Sequence, residues 1–356
     1  MHTAHQITDS DGGMTAVIEF LTAFVLFLII LSAFFSLAGL QLGSNHPRTD
    51  QLDDYALESL QRLTTDAGWY TPYDEFGNRD LANATSEWHR YNATNLLNGV
   101  VQPGLAGTLG QLDIERLDGI ANITQDQFIK GLGLPDWASI NLTIRVIESS
   151  DSNRIDLLLF QDGASRGAAS NSAVAHRLMM LDSETLEIIL EVHDAGRMPA
   201  YLVISEFMAE PELGYPEWVE LENRDGFAVN LTGWGIGRAS SGGVHSLIGD
   251  GALAGGDVML CSGKPSLQEN QGADVVLDLG LSGILGRGAV DGLIKLDDTL
   301  TLTWTYPGLA QTETTMEVDW VASWGIDSDI ALNWLGGEAS NSSNWGRSSG
   351  GTPGSL

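Results

Sequence analysis

From Phe20 to Leu42 the chain runs 23 residues without a charged side chain. Wound as an α-helix rising about 1.5 Å per residue, that run crosses the roughly 30 Å hydrocarbon core of a bilayer with some tilt. A helix in a water-soluble core seldom stays apolar around its whole circumference for so long, so the run predicts one membrane span near the N-terminus. It is too long for a secretory signal peptide, no basic segment precedes it, and no small-x-small cleavage site follows it. The span is therefore expected to stay attached, with residues 1–13 as a short leader and 14–43 as the membrane helix.

Which side the body occupies is read from two opposing signals. Arg48 follows the span and no Lys or Arg precedes it, which by the positive-inside rule leans toward a body inside. Six Asn-x-Ser/Thr sequons, at Asn83, Asn92, Asn122, Asn141, Asn230 and Asn341, are candidate N-glycosylation sites and favour a body outside. The expectation is a single-pass cell-membrane protein with its N-terminus inside, its body outside and lipid as the partner of its helix.

The formal charge of the 356-residue chain is −30, and lysine occurs only at Lys130, Lys264 and Lys295. Such acidity keeps a surface hydrated, or suits high salt, and offers no basic stripe to neutralise phosphates, so nucleic acid is not an expected partner. Cys261 is the only cysteine, which excludes an intrachain disulfide and a cysteine-based metal site; within VMLCSG it reads as a small buried hydrophobe. The seven histidines form no His-x-x-x-His pair, and Gly263-Lys264 is followed by Pro265 rather than Ser or Thr. Catalysis is not expected.

Within DGGMTAVIEF a polar leader, a glycine, a few small residues and Glu-Phe precede the long apolar helix. This arrangement resembles the N-terminus of type IV prepilins and TadE-like pilin-like proteins. The resemblance implies cleavage after Gly13, a mature chain starting at Met14, and Glu19 paired with the N-terminus of a neighbouring subunit. A carboxylate in low dielectric needs such a partner. The alternative is that Glu19 lies one turn inside the interface and reaches headgroup water.

Beyond a break at Asn45-His46-Pro47, Leu52, Tyr55, Ala56, Leu60 and Leu63 share one face of a helix over 50–67 that Gly68 stops. Residues 69–135 are polar and Gly-dotted and predict loops with short helices at Ala93–Asn98 and Gln125–Gly131. Two strand pairs follow: SINLTIRVIE with RIDLLLFQD, and AVAHRLMMLD with LEIILEVHD across Ser183-Glu184-Thr185. His176 and Arg177 fall on a solvated strand face. A stem helix followed by antiparallel strands resembles exported pilin-like proteins of archaea and implies an α+β domain over 44–198. Ala195–Pro199 marks its end.

From Tyr201 onward Gly and Trp become frequent and short apolar runs alternate with turn residues, the composition of an antiparallel sandwich. In Glu217-Trp-Val-Glu-Leu-Glu222, alternation sends Glu217, Val219 and Leu221 to one face and Trp218, Glu220 and Glu222 to the other. Asn223–Gly226 reads as a turn with Gly226 supplying φ > 0. Leu231-Thr232-Gly233-Trp234 starts a strand with Trp234 as core anchor, and Gly255-Gly256 and Asp297-Asp298 mark turns. LVISEFMAEP, EWVELENRDGFAVNLTGWGI, VDWVASWG and NWGRSSGGTPGSL, in that order, resemble the lamin tail domain in its prokaryotic form. That resemblance implies an all-β Ig-like sandwich over 199–356, acting as a non-catalytic binding module. Its motif takes in Glu206, Glu217, Trp218, Glu220, Asn223, Gly233, Trp234, Asp319, Trp345, Arg347, Thr352, Pro353 and Gly354. Glu210 stands where the family usually has Asn, and residues 262–290 are longer than its pattern. No cofactor is expected. Glu206, Glu217, Glu220 and Asp319 are oxygen ligands of the kind Ca²⁺ takes, but no Asp-x-Asp-x-Asp loop organises them.

The sequence thus predicts a membrane-anchored extracellular display protein, its partner a surface protein, glycan or polymer. A pilin- or pseudopilin-like filament subunit, with other such subunits as partners, is the alternative.

Overall fold

The computed structural model describes residues 8–43, 47–164, 169–194, 201–211, 217–238, 245–262, 275–276, 298–305, 312–327 and 329–353. The chain divides into two compact units, Met1–Asp54 and Tyr55–Leu356.

The first unit is dominated by α1 (Thr8–Gly43), one helix that runs unbroken through Gly13 and Met14. Its segment Ala16–Phe34 has mean hydropathy 2.6 and is long and apolar enough to cross a membrane, the composition of a membrane anchor or a signal sequence. Glu19 lies within that segment, and its side chain is exposed. Thr22 returns its hydroxyl to the carbonyl of Ile18 at 2.7 Å, which satisfies the group without water.

A second helix, α2 (Pro47–Thr65), starts on a proline, a first-turn position where the missing N–H costs nothing. In the second unit its residues Ala56, Leu60 and Leu63 are buried, as the 3.6-residue period requires. Gly68 follows at φ +76°, where a Cβ would come within 2.5 Å of the Gln102 carbonyl, so both conformation and space demand glycine.

Next comes a small antiparallel ribbon of β1 (Trp69–Pro72) and β2 (Gly99–Gln102), which the polar composition had hidden. Around it are α3 (Ala93–Leu97), α4 (Ile114–Asp118) and α5 (Gln125–Gly131), the first and last where the sequence places them. Asn92 caps α3, and Thr124 with Gln127 forms a reciprocal capping box on α5.

Four antiparallel strands form the first large sheet: β3 (Ser139–Glu148), β4 (Leu158–Gly163), β5 (Ser172–Leu181) and β6 (Glu184–His193), in the order β4-β3-β6-β5. Ile140, Leu142, Ile144 and Val146 of β3 and Leu186, Ile188, Leu190 and Val192 of β6 are buried at alternate positions. His176 lies on the exposed side of β5 beside Glu187, 3.2 Å away. Two details correct the sequence reading. First, β4 starts at Leu158, because Asp156 takes a left-handed backbone (φ 67°) and Arg154 leaves the strand to grip Glu184 at 2.6 Å. Second, the β5–β6 turn is Asp182-Ser183, with Asp182 at φ 53°; Glu184 and Thr185 already belong to β6.

The C-terminal part holds β7 (Leu202–Met208), β8 (Trp218–Asn223), β9 (Val229–Asn230), β10 (Trp234–Arg238), β11 (His245–Leu247) and β12 (Ala252–Leu253). It continues with β13 (Val258–Ser262), β14 (Val275–Val276), β15 (Asp298–Thr305), β16 (Thr312–Trp320), β17 (Ile330–Trp334) and β18 (Trp345–Ser349). One sheet runs β14-β13-β8-β7-β17-β18, a second β11-β10-β15-β16, and β9 pairs β12. All these pairs are antiparallel except β13–β14, which is parallel. Phe207, Val219 and Leu221 of the six-stranded sheet share one core with Trp234, Leu302, Val318 and Trp320 of the other. Phe207 lies 5.3 Å from Trp320 and 5.2 Å from Trp345, centroid to centroid. Cys261 is buried in this core, as expected. Asp298 opens β15 rather than forming a turn, its backbone being committed to the ladder opposite Trp320.

Direct bonds join the middle and C-terminal parts. Phe227 packs against Phe128 at 5.1 Å and Phe160 at 5.2 Å, and its N–H donates to Asp162 Oδ2 at 2.9 Å. The amides of Ala228 and Gly255 donate to the carbonyls of Ile123 and Ala121 at 2.9 and 2.8 Å. Gly226 does not have the positive φ expected of it. Space is tight there instead, since a Cβ would stand 3.0 Å from the Phe160 ring and 3.1 Å from the Asp162 Cβ. The Ala195–Pro199 boundary lies outside the described residues, as does most of 262–290.

Candidate functional site

Some motif residues of the C-terminal part, Glu206, Trp218, Glu220 and Thr352 among them, meet where β7 faces the segment after β18. A bulge between Ile204 and Glu206 re-aims β7 so that Glu206 stands opposite both Glu220 and Asn333. Glu206 is buried, and its carboxylate accepts the Thr352 N–H at 3.1 Å, the Thr352 hydroxyl at 3.2 Å and the Ser348 hydroxyl at 3.3 Å. Glu220 accepts the Ser205 hydroxyl at 2.8 Å. Burial pushes the Glu206 carboxyl above its ordinary range and Glu220 adds to the shift, while the Thr352 N–H opposes it. Trp218, Met208, Leu260 and Ala331 form an apolar patch beside it. Gly351 crosses there at φ +66°, where a Cβ would meet Trp218 and Glu206 within 3 Å. This arrangement is a clasp: the first strand of the region holds the last residues of the chain.

A second structural cluster surrounds Asn223, which is fully buried. Its amide donates to the carbonyls of Phe227, Leu253 and Ala254, and its Oδ1 accepts the Asp225 N–H at 3.1 Å. Asp225 in turn accepts the Tyr201 N–H at 2.6 Å. Burial pushes the Asp225 carboxyl up to about 6, with Asp162 across the junction contributing. Asp162 is raised too, first by burial.

The remaining motif residues serve the core or the surface. Gly233 (φ +90°) turns the chain into β10, and Trp234 is buried 6.4 Å from Trp304. Trp345 donates its indole N–H to Ala339 at 2.7 Å, and Arg347 pairs with Asp327 at 2.9 Å. Glu217 is buried just before β8 and its carbonyl accepts the Ser262 hydroxyl. Pro353 is exposed, and Gly354 lies outside the described residues. Asp319 is exposed on β16, accepting from Thr299 at 3.0 Å, so the structure does not bring together the four carboxylates considered for Ca²⁺. Among the described residues no group of three or more His, Cys, Asp or Glu is placed to hold a metal ion.

Sequence reasoning overlooked two features. Gly346-Arg347-Ser348-Ser349-Gly350 has the spacing of a nucleophile elbow. It lies in and just after β18, however, not on a strand-to-helix turn, and Ser348 donates to Glu206. The Asp162–Asp225 pair carried no motif, because its members are remote in sequence.

No family model matches the chain, and neither a curated protein nor a solved structure matches it.

Proposed function

We propose that this is a membrane-anchored cell-surface protein of pilin-like plan. In this reading it displays a lamin-tail-like β-sandwich as a non-enzymatic binding or adhesion module. The observation that carries the reading is α1, whose apolar segment is unburied along its length while the rest of the chain folds around its own cores. Two sheets closed over one core, with the first strand, β7, holding Ser348 and Thr352, support a module of the Ig-like kind. Its partner would be a surface protein, a glycan or a polymer.

A filament or secretion subunit is the second reading. It is favoured by Glu19 standing exposed on α1 six residues after Gly13, a position from which it would pair with a neighbour's N-terminus. Mass spectrometry of the N-terminus of protein extracted from native membranes separates the two. A start at Met14 supports prepilin-type processing and assembly. A start before Gly13 supports a plain signal anchor with Glu19 at the interface.

A further inference from the structure

We propose that Asn230 and Asn341 are the glycan acceptors of the folded body and that the other four sequons stay bare. The proposal rests on the reading that the body faces the exterior. N-glycosylation takes place on Nδ2, so the acceptor must be exposed, its Nδ2 uncommitted, and its sequon backbone turned so that the +2 residue reaches the side-chain carbonyl. A donor on Oδ1 draws electron density from the amide and makes the Nδ2–H a better proton donor.

Only two of the sequons meet all three conditions. At Asn230 the exposed side chain accepts the N–H of Thr232 on Oδ1 at 2.9 Å. At Asn341, also exposed, Oδ1 accepts both the N–H of Ser343 at 3.1 Å and its hydroxyl at 2.9 Å. Among the described residues neither Nδ2 donates to a protein group.

The rest fail for different reasons. Asn83 spends its Nδ2 on Asp80 at 2.6 Å. Asn92 caps α3 through the N–H of Asn95 rather than through Thr94, and the Thr94 hydroxyl is committed to the backbone of Ala252 in the junction. Asn122 is half-buried between two residues whose carbonyls bond the C-terminal part, and Thr124 caps α5. Asn141 is half-buried within the β3 ladder, held between β4 and β6. Sugars would therefore sit on the C-terminal sandwich and leave the middle sheet clear.

The transfer joins C1 of the sugar to Nδ2 and breaks the C1–O bond of a lipid-linked phosphate donor. The lipid phosphate leaves, and the proton lost from Nδ2 passes to a base of the transferase. The test uses the folded, detergent-solubilised full chain with a single-subunit oligosaccharyltransferase and a lipid-linked oligosaccharide. Short peptides carrying each of the six sequons serve as the unfolded reference. Glycopeptide mass spectrometry is expected to find sugar at Asn230 and Asn341 alone, although the other four peptides are accepted in isolation. Thr232→Ala and Ser343→Ala destroy the two sequons and serve as controls that assign each glycan to its asparagine. Bare Asn230 and Asn341 in the folded chain, or equal modification of the remaining sequons, overturns the proposal. Glycopeptides from native membranes then test the exterior reading separately. Sites modified in vitro and bare in the cell refute exposure of the body to the glycosylating side, and with it glycosylation in the cell.

Discussion

Asp225 offers a sharp test of the junction between the middle and C-terminal parts. Its half-buried carboxyl faces Asp162, is pushed up to about 6 from 3.8, and accepts one strong hydrogen bond, from the Tyr201 N–H. A carboxyl whose folded value is raised contributes its full stability below the unfolded value and loses it as pH rises through the folded one. The contribution of Asp225 is therefore full below about pH 4, is lost progressively between about pH 4 and 6, and is a constant burden above that. At about 1.4 kcal/mol per pH unit, the ionised group costs up to about 3 kcal/mol near pH 7.5. Asp225→Asn removes that charge and retains an oxygen for Tyr201, though as a weaker, neutral acceptor. The net expectation is a gain of about 1–2 kcal/mol at pH 7.5 that vanishes toward pH 4. Urea denaturation of the wild type and the variant, followed by tryptophan fluorescence across pH 4–8, reads this directly. A variant that is less stable than wild type by the same amount at pH 4.5 and 7.5 refutes the reasoning. The carboxylate would then be a well-solvated anion whose hydrogen bond outweighs its burial.

Glu206→Ala leaves the Thr352 N–H and the Ser348 hydroxyl without their carboxylate. The loss should be about 2 kcal/mol or more, with hydrogen exchange at the Thr352 amide accelerated well beyond that of β15 and β16 amides. Glu206→Gln, which keeps an acceptor and removes the repulsion from Glu220, should lose far less. Phe227→Ala empties the space between Phe128 and Phe160 and should cost about 3–4 kcal/mol, seen as a lower denaturation midpoint. Glu184 is held down to about 2 by its bonds to Arg154 and then Ser149. It supports the fold above its ordinary value of 4.5 and loses that support as pH falls toward 2, so Arg154→Ala should return its NMR titration midpoint toward 4.5.

Periodicity made the long elements legible. The 3.6-residue spacing of Ala56, Leu60 and Leu63 fixes the buried face of α2, and strict alternation in SINLTIRVIE gives β3 at its full length. Two short helices inside an otherwise featureless stretch fall where the sequence places them, and Asn92 and Thr124 cap them. What sequence hid depended on partners far along the chain. Trp69–Pro72 and Gly99–Gln102, four residues each, are too short to read as strands until they pair. Gly226 sits in a segment that looks like an ordinary turn, and the close approach of Phe160 and Asp162 shows only once the chain is folded. Arg154 ends a short turn, Ser152–Arg154, capped by Asp151, and its guanidinium pairs with Glu184. The clasp was half visible. Glu206 and Thr352 belong to recognisable blocks, but nothing local says that a carboxylate on the first strand holds the last residues.

The claim that the body is displayed outside the cell is tested most directly by protease accessibility. Intact cells and lysed cells of the native host are treated in parallel, and the fragment beyond residue 54 is followed by immunoblot beside a cytoplasmic marker. Digestion of the body in intact cells, with the marker spared, is the predicted result. A body that survives until the cells are lysed contradicts the account, because it places Tyr55–Leu356 on the inner side of the membrane.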